Sequence, residues 1–295
     1  MTASVALNTR LAYESGIKAF QAFRFSLGLP EVWPPSIQTV VDFISYLSLK
    51  GAAASTARSY LSGIGYRCKI LGVSDTTQCF LVKKLILGMS RSGSEGDKRL
   101  PITIDLLQRV IRVLPAVCSS NFEAVLFASA FTVAYFGFFR IGELVVDSSF
   151  KLNHALDISN VKFGEQDKVL EVLLPHSKTD QTAKGCVIAL SAVSSLVCPV
   201  TLMKAYLAIR PKVQGPLYRH FSGAVVTRYQ FSSVLKKALK ALGIDSNRFK
   251  SHSFRIGAAT SAASKGFSED GIKQLGRWES KAYKSYIRIP TTELL

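Results

Sequence analysis

Apolar residues recur at helical spacing four times within the first ninety positions. Leu11, Ile17, Phe20, Phe23 and Leu27 mark one face of a first helix, which Asn8 or Thr9 can cap and Gly28-Leu-Pro30 stops. Pro34-Pro35-Ser36 opens a second helix with Val40, Val41, Phe43, Ile44 and Leu47 apolar, and Gly51 follows its end. A third is expected over about 55–70, with Arg58, Arg67 and Lys69 set among Tyr60, Leu61, Ile64 and Tyr66. A fourth spans roughly 77–89. The pattern predicts a compact all-α unit whose exposed faces are basic.

Residues 91–98 hold two glycines and almost no apolar content, which makes them the best linker in the chain. Beyond Pro101, helices are expected over 104–114 and 121–138. The second of these is so uniformly apolar that it reads as a buried central helix. Val169-Leu-Glu-Val-Leu-Leu174 and Cys186-Val-Ile-Ala-Leu190 are β-rich, and a polar loop from Pro175 to Gly185 lies between them. That predicts a hairpin, or two neighbouring strands with a long tip. Helices return from Pro199 to the end. The fold class is mainly α with a small antiparallel β-sheet (α+β), without internal repeats or low-complexity tracts.

Charge then narrows the partner. Among 295 residues, 37 Lys and Arg against 20 Asp and Glu give a formal +17. Residues 1–99 carry 12 basic and 6 acidic side chains, and residues 100–295 carry 25 and 14, so both halves are basic. Such an excess answers a polyanion, most often nucleic acid. Two basic faces fit a clamp on duplex DNA better than a globule with one cationic arm. The five cysteines are scattered and lack CxxC spacing, so neither a disulfide framework nor a zinc site is expected. No apolar run reaches the ~20 residues that span a bilayer, and the N-terminus lacks signal-peptide character. An intracellular, DNA-associated protein is expected, with the nucleus as its location and no membrane partner.

The candidate chemistry is concentrated in the last forty residues. His252 and Arg255, three apart, share a helix face. Leu275-Gly-Arg-Trp278 follows, and Tyr286-Ile-Arg288 after it. Arginine can grip a phosphate through two parallel bonds, histidine can donate to it or exchange protons, and a phenol can attack phosphorus. Upstream, Arg140 closes the most apolar helix, where it needs an anion or a carboxylate; Glu143, three residues on, could simply pair with it. Lys178 sits in the polar loop, with Lys184 as a competitor. Tyr283 competes with Tyr286, one turn away.

In order and spacing, Arg140 with Glu143, Lys178 between two strands, His252-x-x-Arg255, Leu275-Gly-Arg277 and Tyr286 nine residues after Arg277 resemble the pattern of tyrosine recombinases, the phage-integrase family. The match spans residues 100–290. The preceding helices look like that family's core-binding domain, which implies a helical (SAM-like) DNA-binding domain over 1–97 and a catalytic domain over 98–295. Leu-Gly-Arg-Trp, in place of the commoner Leu-Gly-His, is similar to eukaryotic mobile-element recombinases of the Crypton and DIRS-like groups.

The resemblance implies a division of labour. Arg140 and Arg255 would clamp the scissile phosphate, where fixed guanidinium groups stabilise the extra charge of the phosphorane. Lys178 would protonate the leaving 5′ oxygen, His252 would assist as acid/base or phosphate donor, and Tyr286 would attack to form a 3′-phosphotyrosyl link. Neither metal nor cofactor is expected. Arg277 stands where the family usually has a second histidine, and either it or Trp278 could meet the phosphate. Arg58, Arg67, Lys69, Lys250, Lys281 and Lys284 are the further DNA-binding candidates. The implied assembly is a tetramer on paired double-stranded sites, monomeric or dimeric when free, that integrates or excises a mobile element. Two rivals use the same features: a type IB topoisomerase acting as a monomer, and a domesticated DNA-binding protein without catalysis.

Overall fold

The computed structural model describes residues 5–93, 97–147, 155–164, 166–175 and 185–288. The chain divides into two compact units, Met1–Asp97 and Lys98–Leu295.

The first unit contains α1 (Leu7–Ser26), α2 (Ile37–Leu49), α3 (Ala54–Ile70) and α4 (Phe80–Gly93). Ser36 caps α2 as its sequence suggests, its hydroxyl accepting the Thr39 amide. At α1 the expectation fails. The helix starts at Leu7 after an Ala6 that offers no side-chain cap, so Asn8 and Thr9 lie inside it. The fourth helix also differs: Asp75 caps a separate 3₁₀ turn, Thr76–Gln78, and α4 begins only at Phe80. It then continues to Gly93, taking in the first three residues of the expected linker. A Cβ on Gly16 would stand 2.6 Å from the Tyr60 Cα, and one on Gly63 2.6 Å from the Tyr13 carbonyl oxygen, so α1 and α3 touch through paired glycines. Phe20, Phe23 and Phe43 form the heart of the core, their rings 5.1–6.3 Å apart.

The second unit comprises α5 (Ile104–Val117), α6 (Asn121–Phe136), α7 (Ile141–Leu144), β1 (Val161–Gly164), β2 (Val169–Leu174), β3 (Cys186–Ser191), α8 (Pro199–Ile209), α9 (Arg228–Ala241), α10 (His252–Ser264) and α11 (Glu269–Gly276), then a 3₁₀ turn, Lys281–Tyr286. Every residue over 126–135 is buried, so α6 is the central helix its composition implies. It packs against α5, α8 and α10. Two of its interior hydroxyls are satisfied: Thr132 bonds the Ala128 carbonyl at 2.9 Å, and Ser129 lies 3.3 Å from the Tyr218 hydroxyl. The helix ends at Phe136 rather than 138, because Phe138 turns into the left-handed region at φ 50°.

The sheet is antiparallel in the order β1-β2-β3, with Val161 opposite Val172 and Leu174 opposite Cys186. Leu170, Val172 and Leu174 face the core while Glu171 faces out, the alternation expected of a half-buried strand. Among the described residues, no helix is long and apolar enough to cross a membrane.

Gly257 on α10 lies against the backbone at Ile102, whose carbonyl a Cβ would overlap. Because the obstacle is backbone, Gly257→Ala is expected to destabilise the protein by about 3 kcal/mol. Urea unfolding followed by circular dichroism measures this; an unchanged midpoint would mean that α10 does not approach so closely.

Candidate active site

The site begins where α6 ends. Gly137 closes the helix, and the left-handed Phe138 is uncommon for an aromatic residue. This turn leaves the carbonyls of Gly137 and Phe138 as acceptors for arginines arriving from elsewhere in the chain. Arg140 follows as the residue that opens α7. Its backbone N–H donates to Glu143 Oε2 at 2.8 Å, and its Nη1 to Oε1 at 2.9 Å. Glu143 is itself buried, and it accepts a third bond from Arg277 Nη2 at 3.1 Å. A buried carboxylate is tolerable only when so fully partnered.

Arg255, in the first turn of α10, is fully buried. Its Nη1 donates to the Phe138 carbonyl and its Nη2 to the Gly276 carbonyl at 2.8 Å. Its guanidinium lies 4.5 Å from the centre of the Trp278 ring and 5.5 Å from that of Tyr286. Burial, followed by the nearness of Arg140 and Arg277, lowers its pKa to about 9, so it remains a cation at neutral pH. Its Nε is buried with no hydrogen-bond partner among the described residues.

Arg277 ends α11 in the left-handed conformation, with φ 55° and ψ 49°. Its N–H bonds the Gln274 carbonyl and that of Trp278 bonds the Lys273 carbonyl, which closes the helix as a Schellman motif usually built on glycine. The Arg277 side chain points into the protein. Besides Glu143 it bonds the carbonyls of Gly137 at 2.9 Å and Phe138 at 3.1 Å. Burial lowers its pKa, and Glu143 opposes that shift. Trp278 then folds back over Gly276, where any Cβ would strike its ring. The Leu-Gly-Arg-Trp run is therefore legible as physics: the glycine admits the indole, and the turn sends the arginine inward.

Tyr286 ends the 3₁₀ turn that Ser280 caps. Its ring lies 5.0 Å from Trp278 and 6.1 Å from His252. Tyr283 is buried, with the Lys273 ammonium 5.6 Å from its ring centre and the Lys284 ammonium 5.9 Å away. The segment is 3₁₀ rather than α, so residues three apart eclipse one another and angular position cannot separate the two tyrosines. Their neighbours separate them: only Tyr286 stands beside Arg255, Trp278 and His252.

Arg140, Glu143, His252, Arg255, Arg277, Trp278 and Tyr286 thus come together, whereas Lys178 and Lys184 lie outside the described residues. Among the DNA-binding candidates, Lys250 and Lys281 are exposed, and Lys284 pairs with Glu269 at 3.0 Å. In the first unit, Arg58 donates to the Ser90 hydroxyl, Arg67 stacks 4.6 Å above Trp33, and exposed Lys69 lies 3.7 Å from Asp75. Sequence reasoning missed the carbonyls of Gly137, Phe138 and Gly276 as arginine acceptors. Glycines directly before Phe138 and Arg277 were the available signal.

No family model matches the chain. An integrase/recombinase XerD homologue from Selenomonas ruminantium is 25% identical over 273 residues, covering 88% of this chain and 75% of that protein. The XerH site-specific recombinase, in a post-cleavage complex with palindromic difH substrate, superposes with a TM-score of 0.69 at 14% identity, over 96% of this chain and 77% of that one. The fold is that of the tyrosine recombinases. The Tn1549 transposon integrase bound to circular intermediate DNA matches 99% of this chain and 92% of its own, with a TM-score of 0.66 at 12% identity. A lambda integrase dimer on a core site gives 0.63 at 16% identity, over 97% and 73% of the two chains.

Proposed function

We propose that the protein is a tyrosine recombinase that cleaves and rejoins duplex DNA through a 3′-phosphotyrosyl intermediate. One observation carries the reading: two arginines bind a single buried carboxylate, and a third, Arg255, is buried near them with its guanidinium 5.5 Å from the centre of a tyrosine ring. Arg140, Arg255 and Arg277 bring three positive charges to Glu143's one negative charge, and Arg255 is the most buried of them. Cations held so close repel each other, and an anion entering the cluster relieves that repulsion. A phosphodiester fits, because its non-bridging oxygens gain charge as the phenol attacks.

In the proposed step the Tyr286 Oη–P bond forms while the P–O5′ bond breaks. In this step His252, whose ring centre lies 6.1 Å from that of Tyr286, receives the phenolic proton, a role that rests on its position in the resembling pattern. Lys178 supplies a proton to the leaving 5′ oxygen, a role that rests on its position in the resembling pattern. Rejoining reverses both transfers with a 5′ hydroxyl of another strand. The Arg277 side chain, bonded to two backbone carbonyls, shares the Glu143 carboxylate with Arg140 and helps to hold it.

The finer parts of the proposal are integration or excision of a mobile element, a tetramer on paired sites and action in the nucleus. The likeness to a transposon's integrase supports the first, and the Leu-Gly-Arg-Trp run, similar to eukaryotic mobile-element enzymes, supports the first and the last. Binding through the backbone of DNA makes affinity steeply salt-dependent. If about six or more phosphates are neutralised, affinity should fall ~10³-fold or more between 50 and 200 mM salt. A nearly flat dependence in a fluorescence-anisotropy titration would count decisively against an enclosing grip. Supercoil relaxation without recombinant product would indicate a topoisomerase instead.

A further inference from the structure

We infer that Thr260 is a positioning residue for the nucleophile, a deepening that rests on the recombinase reading. Tyr286 is placed by its ring and by the chain that carries it. The ring has Trp278, His252 and Arg255 as neighbours. Within the 3₁₀ turn, the Ser280 hydroxyl caps the Ala282 amide and the Ser285 hydroxyl bonds the Ala282 carbonyl, but both bonds are internal to the segment. They shape the turn without fixing it to the body of the unit.

Lys284 ties the middle of the turn to Glu269 of α11 and buried Tyr283 anchors it in the core, but the chain after Tyr286 is tied to α10 by Thr260. It lies half-buried on α10, eight residues beyond His252 and four beyond Ile256, so this side of the helix faces the segment twice. His252 meets the Tyr286 ring, and Thr260 meets its backbone. The Arg288 N–H donates to Thr260 Oγ1 at 3.0 Å, and the Thr260 hydroxyl donates to the Tyr286 carbonyl at 3.4 Å. The amide bond is the shorter and stronger of the two. One hydroxyl therefore spans the peptide units on both sides of Ile287, pinning the chain directly after the nucleophile to the helix that carries Arg255. A nucleophile displaced by a fraction of an ångström loses alignment with phosphorus, so such a pin affects rate more than affinity.

The test compares Thr260→Val, which keeps the shape and removes both bonds, with Thr260→Ser, which keeps the hydroxyl. In single-turnover cleavage of a nicked suicide duplex, Thr260→Val should form the covalent adduct about three- to tenfold more slowly, the worth of one or two ordinary hydrogen bonds. DNA affinity should not change, and Thr260→Ser should stay within about twofold of wild type. Hydrogen exchange on the DNA-free protein reads the pin itself: the Arg288 amide should exchange several-fold faster in Thr260→Val and stay protected in Thr260→Ser. Unchanged exchange overturns the inference. So does faster exchange with an undiminished cleavage rate, because the pin would then hold nothing that matters to the phenol. A wild type that forms no adduct overturns the recombinase reading and any positioning role with it, whatever the exchange shows. Should Thr260→Val fail to fold, Thr260→Ala carries the same expectations without added bulk.

Discussion

Tyr286→Phe should yield no covalent protein–DNA adduct on a nicked suicide substrate, while its affinity for the same duplex stays within about twofold of wild type. The substitution removes one oxygen and leaves the ring to pack on Trp278, so folding and binding have no reason to change. Tyr283→Phe should still form the adduct, because that ring is buried beside Lys273 and away from Arg255. Peptide mapping of the trapped complex decides between them. A phosphotyrosine at 283, or an adduct that survives in Tyr286→Phe, would refute the assignment.

The second large effect is expected at Arg255. Arg255→Lys keeps a positive charge but loses the planar fork, which is what bonds the Phe138 and Gly276 carbonyls together while stacking on Trp278. Removing one preorganised donor from a site of this kind costs about 10²–10³-fold in rate. Single-turnover cleavage by Arg255→Lys should fall by that factor. The Gly276 carbonyl, which loses its arginine donor, and the Phe138 carbonyl, which keeps only Arg277, should also lower stability by about 1–3 kcal/mol, visible in a denaturant melt. A cleavage rate within tenfold of wild type would show that Arg255 serves packing alone.

The sequence revealed the site more fully than it revealed the segments that hold it. Arg140 could be picked out because a cation closing so apolar a helix is costly, and His252, Arg255 and Tyr286 because their order and spacing resemble those of tyrosine recombinases. α6 was equally legible, since an unbroken apolar run has one sensible place to go. β1 was not expected: Val-Lys-Phe-Gly is too short to show alternation, and only pairing with β2 makes it a strand. The start of α1 was misplaced because capping propensity is a weak preference that packing against α3 overrides. The left-handed turn at Phe138 is a tertiary fact, fixed by arginines more than a hundred residues away. The 3₁₀ geometry around Tyr286 likewise has no local signature, and the choice between the tyrosines rests on their neighbours instead.

Helix α10 carries His252, Arg255 and Thr260 within thirteen residues. The anion grip proposed for Arg255, the proximity of His252 to the phenol and the tether proposed for Thr260 therefore share one helix. On warming, this arrangement leaves no partially competent form in which DNA is cut but poorly held: when α10 frays, all three contacts go at once. Loss of cleavage should then follow the melting of that one helix as a single sharp transition, whatever the rest of the chain still retains.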